Sequence, residues 1–160
     1  MPEAAEEIAK KLGGGLIICA DEIDRLPATA GSYGLVIELS DRLHLDLPRL
    51  GSPTLSPGLY LYCGSAKGPG GLRARVGRHL RQDKTCRWHI DRVTSACAHV
   101  AAFWISSGSE CQLRSHAAAV FDTNVPIEGF GSSDCKSCPA HFLMLQRQSR
   151  IVQRIVKSNV

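Results

Sequence analysis

A chain of 160 residues, 44% hydrophobic and 21% charged, is long enough for one domain with its own core and too apolar to be disordered as a whole. No apolar run reaches the roughly 18 residues that suggest a membrane span, and the opening MPEAAEEIAKKL lacks the apolar stretch of an export signal. The net charge of +4 is modest, so the composition leads to a soluble protein expected in the cytoplasm, with no membrane partner.

Residues 3 to 12 predict a short amphipathic helix that stops at Gly13-Gly14-Gly15. Leu16 to Cys19 is a short apolar run, and DEIDRLPATAG reads as polar turns. YGLVIEL, 33 to 39, predicts a strand. Residues 41 to 57, interrupted by Pro48, Pro53 and Pro57, predict a long hairpin connection, and GLYLYCG, 58 to 64, a second strand. KGPGG breaks the chain before LRARVGRHLR, where Leu72, Val76 and Leu80 make an apolar stripe at helical spacing. Arg75 and His79, also one helical turn apart, share a neighbouring face. HVAAFWI, 99 to 105, is a third strand. Ser109 and Gln112 form a capping-box pattern, so a helix starts near Glu110 and runs to about Phe121. A glycine and serine loop, GFGSSDCKSCPAH, precedes FLML, the last strand, and a basic tail follows. The order strand, strand, helix, strand, helix, strand predicts an α/β fold with a small mixed central sheet flanked by helices.

The cations are unevenly placed. Lys67, Arg73, Arg75, Arg78, Arg81, Lys84, Arg87 and Arg92 crowd one stretch opposed only by Asp83 and Asp91, and Arg147, Arg150, Arg154 and Lys157 follow near the end. Such clusters attract a polyanion, or else form a solvated face. Seven cysteines, an odd number, argue against a disulfide framework. Cys135, Cys138 and His141 form C-x-x-C-x-x-H, soft ligands at a spacing that suits zinc, with Cys111 as a fourth. The alternative, two buried thiols in a loop, is the reading preferred from sequence. His89 and Asp91 flank Ile90 and read either as a structural histidine held by an acid or as a substrate contact.

The stretch YCGSAKGPGGLRARVGRH resembles the second half of the GIY-YIG nuclease signature, with Tyr62, Cys63 and Gly64 ending a strand and Arg75 and His79 on the next helix. Gly31, Ser32 and Tyr33 would be the first half, and Glu110 matches the metal-binding glutamate on a later helix. Ser32 and Cys63 stand at the middle positions of the two triplets, and Asn124 is the candidate for the late asparagine of the superfamily. With WHID at 88 to 91, SEC at 109 to 111 and GFGSSDC at 129 to 135, the chain is similar to a branch of that superfamily. In some archaeal chains this branch is fused to a repair glycosylase of the endonuclease III type. The resemblance implies an N-terminal helical extension (1–29), a GIY-YIG-like nuclease domain (30–146) and a basic C-terminal tail (147–160). It implies hydrolysis of phosphodiester bonds in DNA, in repair or in processing of branched or damaged DNA, with RNA open as a second substrate. A catalytically weak nucleic-acid-binding module of the same fold is the alternative.

The chemistry supports these roles independently. Phosphodiester hydrolysis needs an activated water, a stabilised phosphate and a neutralised leaving oxygen. Glu110 can hold one magnesium or manganese ion, and its place at a helix N-terminus favours the anion. Arg75 offers a planar fork to phosphate oxygens. Tyr33 or Tyr62, close to that arginine and the metal, would have its proton affinity lowered and take a proton from water, with His79 beside them. Lys67, Arg73, Arg78, Arg81 and His89 are the expected nucleic-acid contacts.

Overall fold

Alternating side chains along two long strands divide the core into two layers. In the computed structural model, which describes residues 1–133 and 135–146, β1 (Gly31–Leu39) and β4 (Gly58–Ala66) pair antiparallel along their whole length. Tyr33, Leu35 and Ile37 of β1 and Tyr60 and Tyr62 of β4 enter one core cluster, whereas Val36, Leu59, Leu61 and Cys63 enter the other. This is the period of two that a pleated strand imposes.

On the far edge of β1 lies β5 (Val100–Ile105), and beyond β4 lie β7 (Phe142–Leu145) and β6 (Thr123–Asn124). The sheet order is β5-β1-β4-β7-β6, and each of its pairings is antiparallel. The long connection carries its own small hairpin, β2 (Leu43–His44) with β3 (Thr54–Leu55). Helices α2 (Gly71–Leu80) and α3 (Asp91–Thr94) cover the Tyr33 face through Leu72, Val76 and Val93. The opposite face is covered by α1 (Pro2–Lys11) and α4 (Glu110–Val120), through Ile8, Leu113 and Ala117. The fold is thus the expected α/β arrangement, a small central sheet between helices, with the difference that the sheet is antiparallel throughout and not mixed.

Residues 1–29 contribute more than an appended arm. Ile8 is fully buried and Ile18 bridges to Ala102 on β5. Without α1, Val36, Leu61 and Phe103 would lose part of their cover, at a cost of about 25 cal/mol per Å² of apolar surface. Among the described residues no helix is long and apolar enough to cross a membrane. The basic tail, 147–160, lies outside the described residues.

Candidate active site and metal centre

Where β1 begins and β4 finishes, a cavity of about 360 Å³ opens at the end of the sheet. Tyr33 and Tyr62 enter it from the α2 face with ring centroids 6.5 Å apart, and Arg75 joins them from α2. Glu110 belongs to the helix on the other face, yet it lines the same cavity because α4 starts beside the end of β4. There the Ser65 hydroxyl donates to the Glu110 carboxylate and accepts from the Glu110 backbone N–H at 3.3 Å. Ser109 and Gln112 cap α4 reciprocally, as their spacing predicts. Gly64 stands opposite Tyr33 in the register, and a Cβ there would overlap the Tyr33 ring. Gly131, with φ +70°, likewise leaves room for the Tyr62 ring.

His79 does not line the cavity. It is 1% exposed and sits behind Tyr33, its Nε2 2.7 Å from the phenol oxygen. Its Nδ1 faces the buried Asp91 carboxylate at 3.7 Å, too long for a hydrogen bond but close enough for attraction. A proton on Nδ1 points at that carboxylate, whereas a lone pair there would be repelled. The favoured tautomer therefore leaves Nε2 as acceptor for Tyr33. Burial lowers the pKa of His79 against the pull of Asp91, so the ring is neutral at pH 7. Burial also raises Tyr33 well above the ordinary tyrosine value, with Tyr62 adding to it and Arg75 pulling more weakly the other way. Tyr62 is pushed up to about 12, again mainly by burial. Both are phenols in the resting site, so Arg75 does not by itself lower their proton affinity as its proximity led one to expect.

Asp91 is fully buried. Burial would raise its pKa, but the His79 ring, the Arg78 guanidinium and the backbone N–H groups of Trp88 and Arg87 hold it well below the usual carboxylate range. Both this group and His79 make the fold acid-sensitive. His79 has a folded pKa below its ordinary 6.5, so below that pH the unfolded chain binds more protons and stability falls. The contribution of Asp91 is present above its ordinary 3.8 and is lost as the pH drops further. The melting temperature should begin to decline as the pH falls below about 6.5, and fall more steeply below about 4. His79→Gln should lessen the first decline, to which the half-buried His89 also contributes, and leave the second, a result that scanning calorimetry across pH would show.

The cations are sorted by the fold. Lys67 and Arg87 line the cavity, and Arg75 lies 4.5 Å from the centre of the Trp88 ring. Arg78 instead grips Asp91 with both nitrogens, at 2.8 and 2.9 Å. Arg73 donates to the carbonyls of Leu26 and Asp24, and the exposed Arg81 is not part of the cavity wall. Arg73 and Arg78, expected as nucleic-acid contacts, thus make bracing contacts within the fold. A buried carboxylate next to α2 commits Arg78, and the turn at 24–26 commits Arg73. His89 lines the cavity as a ring whose pKa burial lowers, and it accepts from the Gly131 N–H at 3.3 Å. Asn124 is exposed on β6, away from the cavity. Because Arg78 is only 16% exposed and Asp91 0%, Arg78→Ala strands a buried charge, which costs about 3–5 kcal/mol. Urea unfolding should show that loss. An unchanged midpoint with weakened DNA binding would restore Arg78 to the binding face.

Ser65, Arg87 and Trp88 line the cavity although no individual site role was legible for them in the sequence. Arg87 stands in the cationic stretch and Trp88, an exposed aromatic, in the WHID motif, whereas Ser65 carried no signal of its own.

The loop at 129–141 meets α4 at the same cavity. Cys111 Sγ lies 3.5 Å from Cys135 Sγ and 3.5 Å from His141 Nε2. With Cys138 these ligand atoms all lie within 4.8 Å of one another, a group that could hold a metal ion. Hydrogen bonds from Ser137, and from the backbone of Ser137 and Cys138, lower Cys135 to about 5, while burial and the neighbouring thiols push Cys111 up to about 12. The preference for a loop with two buried thiols is not sustained, because Cys135 and Cys138 are only half-buried and α4 brings Cys111 to them.

The family model described as Domain of unknown function DUF123 matches residues 32–159. No curated protein and no solved structure matches the chain.

Proposed function

We propose, from the premise that this chain belongs to the DUF123 family, that it is a metal-dependent endonuclease hydrolysing phosphodiester bonds in DNA. The observation that carries this reading is one cavity that collects two phenols and a guanidinium from one sheet face and a glutamate from the other. The same residues support placing the chain with the GIY-YIG nucleases, in the branch fused elsewhere to an endonuclease III-type glycosylase. A role in repair or branched-DNA processing follows from that placement.

Glu110 fits a hard divalent cation. Burial raises its pKa, but Ser65, its own backbone N–H, Lys67 and His141 together bring it below the ordinary glutamate value. A magnesium or manganese ion is satisfied by one such carboxylate plus waters, and would supply the counter-charge for the leaving oxygen. The chain's own residues perform the rest. Tyr33 takes a proton from the attacking water as its hydroxyl proton passes to His79 Nε2. Asp91 faces the imidazolium that results and acts as a positioning residue. Arg75, steadied against Trp88, holds the phosphate, with Tyr62 beside it. Lys67 and Arg87 supply the cationic rim.

Cys111, Cys135, Cys138 and His141 are read as a separate zinc site, since three thiolates and an imidazole are soft donors that magnesium does not use.

The test is cleavage of plasmid, single-stranded and branched DNA, and of RNA, with magnesium or manganese and with chelator. Divalent-dependent cutting of any DNA is expected. Firm binding with no cutting of any substrate would move the chain to the non-catalytic binding module.

A further inference from the structure

We propose that the zinc site is a closed structural centre whose task is to position Glu110, so that one metal holds the wall against which the other is bound. The proposal rests on the proposed function, a two-metal reading with one divalent cation at Glu110 in the cavity and a separate zinc ion at the Cys/His group.

The fit to zinc is geometric. Tetrahedral zinc with bonds of about 2.3 Å to sulfur and about 2.0–2.1 Å to nitrogen separates its ligand atoms by roughly 3.5–3.8 Å. Cys111 Sγ is already 3.5 Å from Cys135 Sγ and from His141 Nε2, and the group spans no more than 4.8 Å. All four therefore need only small rotations to close around one ion.

Its coordination argues against catalysis at that ion. Four protein ligands leave no open position for water or substrate, the arrangement of structural zinc. Three thiolates and a neutral imidazole also leave the centre with one net negative charge, which would not attract a phosphate. Any ligand thiol that is still protonated, Cys111 first among them, gives up its proton on binding, so zinc uptake releases acid.

What the centre touches suggests its use. Cys111 follows Glu110 in the first turn of α4, and His141 immediately precedes β7, which pairs with β4. The His141 carbonyl accepts from Cys63 N–H at 2.9 Å, and its N–H donates to the Phe130 carbonyl at 3.0 Å. Zinc would therefore tie the first turn of α4 to β4 and to the loop that carries Gly131. Among the described residues, Glu110 is otherwise oriented by the Ser65 hydroxyl and its helix cap, with the charge of Lys67 attracting it.

The experiment uses the full chain. Bound metal is measured on the purified protein, and cobalt(II) is loaded after zinc removal. One zinc per chain and the intense visible bands of tetrahedral thiolate-bound cobalt are expected, both lost in Cys138→Ser and kept in Cys86→Ser, a cysteine outside the group. Manganese affinity is then read by electron paramagnetic resonance, without any cleavage. It should weaken at least about tenfold in Cys138→Ser and in zinc-stripped wild type, and zinc should restore it in the latter. Circular dichroism identifies variants that have not folded, and for these the stripped wild type decides. Absence of zinc and of the cobalt bands in wild type overturns the site itself. Zinc that can be removed with no change in manganese affinity overturns the positioning role and leaves the zinc reading intact. Zinc bound by wild type that takes up no manganese overturns the two-metal reading of the cavity.

Discussion

Glu110→Gln is expected to lower divalent-dependent cleavage by at least about a hundredfold while leaving DNA binding nearly unchanged. An amide is a much poorer ligand than a carboxylate for a hard cation, so the leaving oxygen loses its counter-ion. Gln keeps the length and helix preference of the side chain, can still accept from Ser65, and sits beside an intact Ser109 cap. The fold should therefore survive. Removing an anion next to Lys67 does not weaken phosphate attraction and strengthens it slightly. Single-turnover cleavage and a gel shift, on the same DNA and at the same salt, test both halves. Cleavage retained at the wild-type rate would remove Glu110 from the site.

Tyr33→Phe should cost about 10²–10⁴ in the same single-turnover rate, the range for loss of a positioned acid or base. The ring remains to fill its place over Gly64 and against Tyr62, so the cavity keeps its shape. His79 Nε2 loses its partner, and a buried acceptor left unsatisfied costs about 1–3 kcal/mol. A modest fall in melting temperature should therefore accompany the loss of rate. Tyr62→Phe provides the contrast. Among the described residues its hydroxyl has no partner equivalent to His79, so the effect on the proton-transfer step should be smaller. Equal losses from the two variants would mean that the phenols act together on the phosphate, with no relay through His79.

Several parts of this picture are written locally and could be read from the chain. The apolar stripe Leu72, Val76, Leu80 falls inside α2, because helical periodicity is a property of near neighbours. The Ser109–Gln112 cap likewise appears as predicted, since its partners are three residues apart. Tyr33 and Tyr62 could be assigned to one cavity only through a motif, because the long connection between them hides a hairpin pairing whose register sets Leu35 opposite Tyr62. Other features left weaker traces. Thr123 and Asn124 are both polar and only two residues long as a strand, so β6 had no alternation to register.

The amino-acid sequence alone determined the longer elements and the residue types able to do the chemistry, because propensity, capping and period-2 or helical patterning are short-range. Tertiary structure decided which of those residues meet. It sent Arg78 to Asp91 instead of to solvent, put His79 behind Tyr33 instead of beside it, and brought Cys111 to Cys135, Cys138 and His141. The physical reason is that a charge or thiol chooses its partner by burial and distance, and both are set by how distant segments pack. A buried carboxylate at position 91 claims the nearest guanidinium, whatever the spacing of arginines along α2 suggests.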